Sequence, residues 1–215
     1  MHKGKSLFVT FEGIEGSGKS YQSHKLYKIL KKNRIPVILT REPGGTKAAE
    51  KIRHVILDDY FHSDYKEKFD KYTDTLLYLA ARNEHIQNKL KPAISKNKNI
   101  ICDRFIDSTL AYQVYGKGVN KSFVDYVHKL ILGTIKPDLT FIIKVDISKA
   151  LQRLKKRKKK NRYDKFSRSF YIKVQNAFIK IAKKNKKRYF IVDNSNDSHE
   201  AEKIILKKFV RTLNI

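Results

Sequence analysis

The segment Gly13–Ser20 has the residue types and spacing of a loop that holds a phosphate chain. It reads Gly-Ile-Glu-Gly-Ser-Gly-Lys-Ser and matches the pattern G-x-x-x-x-G-K-[ST]. Glycines let backbone N–H groups wrap around phosphate oxygens, and a helix that begins at the end of the loop adds donors and a favourable dipole. Lys19 would then bridge the β- and γ-phosphates, and the hydroxyl of Ser20 would ligate Mg²⁺. The predicted ATP-binding residues are Gly13, Ile14, Glu15, Gly16, Ser17, Gly18, Lys19 and Ser20.

This loop predicts phosphate handling but does not identify the acceptor, because kinases, GTPases and motor ATPases all use it. The sequence has no Asn-Lys-x-Asp element of the kind that reads guanine in GTPases. The segment Asn161–Asp164 reads Asn-Arg-Tyr-Asp and does not fit that pattern.

Two further segments carry charged residues that could meet a phosphate or a metal. Arg41–Thr46 reads Arg-Glu-Pro-Gly-Gly-Thr, which is compatible with a plain turn but also with Glu42 beside a magnesium-bound water. In the second segment, Asp103 could hold Mg²⁺ or its waters and Arg104 could clamp the phosphates. A structural ion pair is the alternative interpretation of these last two residues.

Five short apolar runs alternate with helical segments and supply the elements that would position these motifs. The predicted strands are Leu7–Phe11, Val37–Thr40, Ile100–Cys102, Phe141–Val145 and Tyr189–Val192. The helices predicted from periodicity are Ser20–Lys32, Ala48–Leu57, Tyr72–Leu90 and Ala201–Leu213. Apolar strands separated by helices indicate an α/β fold with a parallel sheet covered on both faces. All the motifs fall at the carboxyl ends of strands, where such folds bind ligands.

The net charge is the most extreme bulk property of the chain. Its 215 residues, enough for one domain spanning 1–215, include 48 Lys and Arg against 21 Asp and Glu, a formal charge of +27. Only 11 of the basic residues are arginine, whereas specific nucleic-acid contacts favour the bidentate fork of arginine. Nucleic acid is therefore not the expected partner. We interpret the lysines as solvated helix surfaces, with a field that attracts an anionic substrate as the second interpretation.

Cysteine content and hydropathy favour a cytoplasmic protein. The single cysteine, Cys102, excludes an internal disulfide framework and an all-cysteine metal site. No apolar run approaches the roughly 20 residues needed to cross a bilayer, so no membrane partner is expected. Met1–Ser6 leads directly into a strand-like run without the apolar region of a signal peptide.

Four segments taken together resemble bacterial thymidylate kinases. They are Phe11–Ser20, Thr40–Thr46, Leu77–Arg82 and Cys102–Gln113, in the order and spacing of that family. Other nucleoside monophosphate kinases share the phosphate loop but not this set. The resemblance implies a three-layer P-loop nucleoside monophosphate kinase fold with a five-stranded parallel sheet and helices on both faces. It also implies transfer of the γ-phosphate of ATP to dTMP with Mg²⁺, and a homodimer.

The same resemblance implies how thymine would be recognised. Tyr78 stands where the family usually has a phenylalanine stacked on the base, and an aromatic face suits that task. Arg82 lies four residues on, on the same helical face, and would hydrogen-bond O4 of the base. Without the family, a core aromatic and a surface arginine would be the simpler interpretation. The phenol of Tyr78 departs from the family and requires a hydrogen-bond partner or a route to water.

Further residues acquire implied roles around the sugar and the phosphates. Thr109 and Gln113 would complete base recognition, Tyr112 would pack beside the deoxyribose, and Glu15 would lie near the sugar 3′-hydroxyl or the lid. The predicted dTMP-binding residues are Glu42, Arg53, Tyr78, Arg82, Arg104, Ser108, Thr109, Tyr112 and Gln113. The predicted catalytic residues are Lys19, Arg104, Arg162 and Glu15, and the predicted metal site comprises Ser20, Asp103 and Glu42.

The strongly basic segment Arg153–Arg168 is implied to be a lid over ATP. Taken alone, it is also compatible with a disordered basic loop or a nucleic-acid patch. Gly16 occupies the position where one subtype of the family carries a catalytic arginine, so the lid would have to supply that group. Arg157 and Arg162 are the candidates, and Arg162 is favoured because it matches the family element. Phe166 stands where the family often has an acid, so a second acidic contact of the lid is not predicted.

Three other functions were weighed against this prediction. A kinase for another monophosphate or for a deoxynucleoside is disfavoured, because Arg82 and Gln113 suit the carbonyls of thymine. A nucleic-acid-dependent ATPase would need an acid that directs hydrolysis, and none is evident. A scaffold role would leave the phosphate loop and the lid without explanation.

Overall fold

Five parallel strands form the centre of the computed structural model, which describes residues 6–57, 68–158, 161–196 and 199–213. The strands are β1 (Phe8–Glu12), β2 (Val37–Arg41), β3 (Asn99–Asp103), β4 (Leu139–Lys144) and β5 (Tyr189–Asp193). Their order in the sheet is β2-β3-β1-β4-β5, with all pairs parallel. The predicted parallel sheet is thus confirmed, and its strands begin and end within two residues of the predicted bounds.

Helices connect the strands and lie around the sheet. The α-helices are α1 (Lys19–Lys32), α2 (Lys47–Leu57), α3 (Lys71–His85), α4 (Lys91–Ser95), α5 (Ile106–Thr109), α6 (Lys121–Leu132), α7 (Ile147–Lys155), α8 (Arg168–Lys183) and α9 (Glu200–Leu213). The helix predicted from Tyr72 is one continuous stretch, but its last turn, Ile86–Leu90, is π-helical. A second π-helical segment, Leu110–Gly116, continues α5, and a short 3₁₀ helix spans Arg162–Lys165.

Apolar side chains on both faces of the sheet explain why helices cover both. On one face, Val9, Phe11 and Phe141 pack in a core shared with Leu26 of α1 and Phe209 of α9. Because successive strand residues point to opposite faces, the neighbouring positions join other cores. Ile142 belongs to a core with α7 and α8, and Phe8, Ile100 and Cys102 pack against the Ile86–Leu90 turn and α4. The predicted three-layer arrangement is confirmed.

The strand order brings the three sequence motifs together. In the register of the sheet, Phe11 of β1 and Arg41 of β2 both align with Asp103 of β3. The phosphate loop after β1, the Arg41–Thr46 turn after β2 and the Asp103–Phe105 segment therefore leave the same sheet edge side by side. Within the described residues, no helix is both long and apolar enough to cross a membrane.

Candidate active site

A cavity of about 680 Å³ opens at this edge of the sheet, a size typical of small-molecule sites. Most of the predicted site residues line it: Glu15, Gly16, Gly18, Lys19, Ser20, Glu42, Arg53, Tyr78, Asp103, Arg104, Ser108, Thr109, Tyr112 and Gln113. Among the described residues, five predicted ones do not line its wall, namely Gly13, Ile14, Ser17, Arg82 and Arg162. The first three are buried within the phosphate loop, and the two arginines lie behind the wall.

The phosphate loop is shaped by glycines that no other residue could replace without movement. Gly16 has a φ of 73°, and a Cβ placed there would lie 2.5 Å from the carbonyl oxygen of Ala150 on α7. A side chain at position 16 is therefore excluded both by the backbone conformation and by α7. The glycine that stands at this position of the sequence in place of an arginine thus has a steric basis in this fold.

Lys19 lies in the floor of the cavity with few partners. It is buried, and its Nζ donates to the carbonyl oxygen of Ile14 at 3.2 Å. Burial and the nearby guanidinium of Arg104 lower the pKa of Lys19 to about 8. A bound polyphosphate would place negative charge next to this ammonium group and so favour its charged form.

Asp103 and Ser20 form a ready-made position for a hard cation. The hydroxyl of Ser20 donates to Oδ2 of Asp103, while Oδ1 of Asp103 is buried and has no hydrogen-bond partner among the described residues. Magnesium prefers oxygen ligands and commonly combines one or two protein groups with substrate phosphates. Within the described residues there is no cluster of three His, Cys, Asp or Glu side chains that would hold a metal alone.

Arg104 connects the loop to the acceptor side of the cavity. Its φ of 72° is in the left-handed region, which is uncommon for a residue with a side chain. Its guanidinium donates to Gly13 O at 2.9 Å, Ser108 Oγ at 3.0 Å and Glu15 Oε1 at 2.7 Å. Tyr112 donates to the other oxygen of Glu15. Glu15 and Tyr112 are therefore fixed beside Arg104, and strained backbone of this kind is often found at functional sites.

Glu12 lies directly beneath Arg104 and was not predicted as a site residue. Its carboxylate accepts from the backbone N–H of Phe105 at 2.7 Å and from Ser108 Oγ at 2.5 Å. Burial and the nearby charge of Asp107 raise the pKa of Glu12 to about 8. An acid at the end of a buried strand, directly before the phosphate loop, is a sequence signal that could have identified it.

Cationic groups surround the position expected for the acceptor phosphate. Nη1 of Arg53 donates to the carbonyl oxygen of Pro43 at 2.8 Å. Burial and the neighbouring charge of Arg41 lower the pKa of Arg53, with a smaller contribution from Arg104. Several guanidinium groups facing one cavity indicate a site for an anion.

The end of the cavity away from the phosphate loop is aromatic, and we call it the base end because the sequence predicts that a base stacks there. The ring of Tyr78 meets that of Tyr163 edge to face at 6.2 Å, and Tyr163 also contacts Tyr112 at 5.8 Å. Burial and the charge of Asp74 raise the pKa of the Tyr78 phenol, which hydrogen-bonds with Tyr163. Tyr163 therefore supplies the partner that the phenol of Tyr78 was expected to require.

Arg82 is a buried structural hub. Its Nε donates to Glu42 at 2.7 Å, and Nη1 donates to both Thr109 Oγ1 and His128 Nε2. Nη2 donates to the carbonyl oxygen of Phe105 at 3.0 Å, so protein partners use four of the five N–H donors. His85 donates to the second oxygen of Glu42 at 2.9 Å. Both oxygens of Glu42 therefore contact protein donors, unlike the carboxylate of Asp103.

The predicted lid contributes Arg157, Asn161 and Tyr163 to the wall of the cavity. Asn161 and Asp164 form a capping box that begins the 3₁₀ helix. Arg157 donates to Asp164 at 2.8 Å and lines the cavity, whereas Arg162 pairs with the buried carboxylate of Asp74. The two candidate lid arginines are thus in different places, one at the phosphate end and one behind the base end.

Arg153 and Asn194 were also missed as site residues. Arg153, on α7, lines the cavity and donates to Gly16 O and Asn194 O, both at 3.0 Å. The amide of Asn194 donates to Ser17 O at 2.8 Å. They buttress the phosphate loop from regions far away in sequence, so no local motif could have identified them.

Comparison with known proteins gives a consistent result. The family model described as thymidylate kinase matches residues 11–205. A thymidylate kinase of Sulfurihydrogenibium sp. is 41% identical over 93% of this chain and 95% of its own length. That of Wolbachia pipientis wMel is 42% identical over 94% and 99%, respectively. A crystal structure of thymidylate kinase from Ehrlichia chaffeensis superimposes with a TM-score of 0.73 at 36% identity, covering 95% of this chain and 98% of that one.

Proposed function

The chain belongs to the thymidylate kinase family, and we propose that the reaction of this family, transfer of the γ-phosphoryl group of ATP to dTMP, takes place in the cavity described above. The observation that carries this proposal is the continuity of that cavity. It joins Lys19 and Ser20 of the phosphate loop to Tyr78 and Gln113 at the aromatic end. Both substrates would thereby lie in one continuous cavity with cationic groups between them.

In the proposed mechanism an oxygen of the dTMP phosphate attacks the γ-phosphorus and the bond to the β-phosphate oxygen breaks. The acceptor is already anionic, so no strong general base is needed, and positioning and charge neutralisation supply most of the rate. Lys19 would contact the β- and γ-phosphates. Arg53 and Arg104 would hold the acceptor phosphate, with Glu15 fixing the orientation of Arg104 and lying near the sugar 3′-hydroxyl.

We propose that Ser20 and Asp103 hold Mg²⁺, since the unpartnered oxygen of Asp103 and the hydroxyl of Ser20 suit that ion. Bound Mg²⁺ would neutralise charge on the β- and γ-phosphates. Both oxygens of Glu42 contact Arg82 and His85, so we propose that Glu42 acts through a water molecule if it contributes to the metal site.

The lid, proposed to span about 153–168, would supply an arginine to the transferring phosphoryl group and exclude water. The sequence favoured Arg162 for this task. Both arginines pair with a carboxylate, Arg157 with Asp164 of the lid itself and Arg162 with Asp74 of α3, but Arg157 lines the cavity whereas Arg162 does not. We therefore propose Arg157 as the lid arginine, with Arg162 as the alternative.

For the base, we propose that thymine stacks on Tyr78 and that Gln113 and Thr109 face its edge, with Tyr112 beside the deoxyribose. The hydroxyl of Ser108 accepts a hydrogen bond from Arg104 and donates one to Glu12. We propose that it thereby keeps Arg104 in position to bind the phosphate. Arg82 donates to four protein groups. Its remaining N–H donor is the one that we propose for the O4 contact.

A coupled assay of ADP release with dTMP, dUMP, dCMP, dGMP and dAMP tests this proposal. We expect dTMP to be the best acceptor, with purine and amino-pyrimidine monophosphates strongly disfavoured. Preference for any other acceptor would refute the base assignment. ADP release that does not require a nucleotide acceptor would refute the kinase assignment.

We also propose a homodimer through an apolar face made by α3 and α6. Tyr72 and Leu76 of α3 and Tyr126 and Leu130 of α6 are large apolar side chains that are 38–65% exposed. Tyr72 contacts Phe123 of α6 edge to face at 5.5 Å, which joins the two helices into one surface. Sedimentation equilibrium should give a dimer, and Leu76→Asp should give a monomer, whereas Ile94→Asp on α4 should not. A monomeric wild-type protein would overturn this proposal.

A cytoplasmic location is proposed because the single thiol, Cys102, is free, as expected in a reducing compartment. No nucleic-acid partner is proposed, because several of the cationic groups, among them Arg53, Arg104 and Lys19, face the concave cavity and most of the remaining positive charge is lysine.

A further inference from the structure

Asp74 of α3 is a buried carboxylate at which the lid and the base end of the cavity meet. Its side chain is 1% exposed and pairs with Arg162 of the lid and, at 2.7 Å, with Lys117. Nε2 of Gln113 and the hydroxyl of Tyr163 lie 3.3 and 3.4 Å from Oδ2. Gln113 and Tyr163 both line the cavity, but Asp74 does not.

The chemistry of these contacts determines which end of the Gln113 amide faces Asp74. A carboxylate with two cationic partners can only accept hydrogen bonds, so the amide nitrogen of Gln113 must point to it. The amide oxygen is then the atom that remains for a ligand in the cavity. An oxygen at that position accepts from the N3–H of thymine or uracil and meets the N3 lone pair of cytosine unfavourably.

We propose that Asp74 is a positioning residue that selects against cytosine by fixing the orientation of the Gln113 amide, and that it ties this selection to the lid through Arg162. This inference rests on the proposed function, because it assumes that the base lies between Tyr78 and Gln113. A purely structural ion cluster would stabilise the fold without affecting which pyrimidine is accepted.

The connection to the lid comes from two neighbouring residues of the 3₁₀ helix. Arg162 pairs with Oδ1 of Asp74, and Tyr163, which contacts Tyr78, lies within 3.5 Å of the Gln113 amide nitrogen. Seating of the lid on Asp74 therefore places Tyr163 against the base end. If a bound base forces the Gln113 amide to rotate, the contact of Gln113 with Asp74 changes as well, and Asp74 is the residue with which Arg162 of the lid pairs.

The decisive experiment compares kcat/KM for dTMP and dCMP in the wild type, Asp74→Asn and Arg162→Gln. In Asp74→Asn the new amide can donate to the Gln113 oxygen, so Gln113 can turn and present its nitrogen to cytosine. We expect the dTMP:dCMP ratio to fall by about ten-fold or more in Asp74→Asn. In Arg162→Gln, KM for dTMP should rise and the ratio should fall by a smaller factor than in Asp74→Asn, because Gln113 keeps its acceptor-only partner while the lid is no longer seated on it. An unchanged KM and ratio in Arg162→Gln would show that the selection is not tied to the lid. Asp74→Glu, which keeps an acceptor-only group, should preserve the ratio.

Asp125→Asn is the matched control, because Asp125 is an exposed partner of Lys121 outside the cavity. If Asp74→Asn does not fold, Asp74→Asn/Arg162→Gln, which also removes one of the two cations left without a carboxylate, is measured in its place and should show at least the same fall. An unchanged ratio in the folded Asp74 variant, with a wild type that prefers dTMP, would overturn the inference and leave the proposed function intact. A wild type that does not use dTMP would instead overturn the proposed function.

Discussion

The two ends of the cavity are built differently, although one sheet edge carries both. At the phosphate end, groups that would meet the substrate have few partners: Oδ1 of Asp103 has none and Lys19 donates only to a loop carbonyl. At the base end, Arg82 and Asp74 are each surrounded by four protein partners. The phosphate end therefore depends on its ligand for charge balance, whereas the buried charges of Arg82 and Asp74 at the base end are balanced by protein partners. Substitutions at the two ends should accordingly have different consequences.

The lid arginines give the sharpest test of this difference, because one belongs to each end. Arg157→Ala should lower kcat by about 10³- to 10⁵-fold, the usual contribution of an arginine at a transferring phosphoryl group. Arg162→Ala should raise KM for dTMP by about ten-fold, a loss of about 1.4 kcal/mol, with a smaller change in kcat. Steady-state kinetics with both substrates varied measures both effects, and Arg211→Ala on α9 is the control. A large loss of kcat in Arg162→Ala with a small one in Arg157→Ala would instead support Arg162 as the catalytic arginine.

Lys19→Ala tests whether the phosphate end can lose a charge without loss of the fold. Removing one preorganised donor to developing charge commonly lowers kcat by about 10²- to 10³-fold. The melting temperature should stay close to that of the wild type, because Lys19 has a lowered pKa and little protein compensation for its charge. Lys25→Ala, on the same helix and exposed, should change neither quantity. Near-normal turnover of Lys19→Ala would contradict the assignment of the loop.

Arg82→Ala tests the opposite expectation at the base end. Glu42, Thr109 and His128 would lose a buried donor, and breaking a buried ion pair costs about 3–5 kcal/mol. The free energy of unfolding, measured with urea, should fall by that amount. Arg41→Ala removes an arginine from a partly exposed pair with Glu50 and should cost no more than about 1 kcal/mol. Equal losses in the two variants would mean that Arg82 is not a structural hub.

Glu12→Gln tests whether the buried carboxyl group of Glu12 makes the free energy of unfolding depend on pH. The pKa of Glu12 is raised to about 8, so the folded state binds more protons than the unfolded state between the ordinary carboxyl range and pH 8. The free energy of unfolding should therefore decrease as pH rises through this window, by up to about 1.4 kcal/mol per pH unit from this group. This decrease should be absent in Glu12→Gln and present in Glu84→Gln on α3. A wild type and Glu12→Gln with parallel pH profiles would show that Glu12 does not titrate in this window.

The same difference explains what the sequence could predict. The phosphate end is a continuous motif whose glycines and lysine have a direct physical meaning. The alternation of apolar strands with helices predicted the parallel sheet, but the strand order that places the three motifs side by side could only be found in three dimensions. The base end is assembled from separated residues. Asp74, Tyr78 and Arg82 are spaced i, i+4, i+8 on α3, a signal that could have included Asp74, but nothing local connects them to Tyr163 or His128. The burial of Arg82, expected as a ligand contact, depends on partners from four elements and could only be found in three dimensions.

The close approach of Gly16 to Ala150 also has a consequence for how such enzymes can diverge. A chain of this kind cannot acquire an arginine at position 16 by one codon change, because the new side chain would collide with α7 before it could contribute to catalysis. Displacement of α7 would have to come first, and by itself it would bring no catalytic benefit. An arginine that acts from the lid, as proposed for Arg157, avoids this collision, so directed evolution from this starting point should keep glycine at position 16.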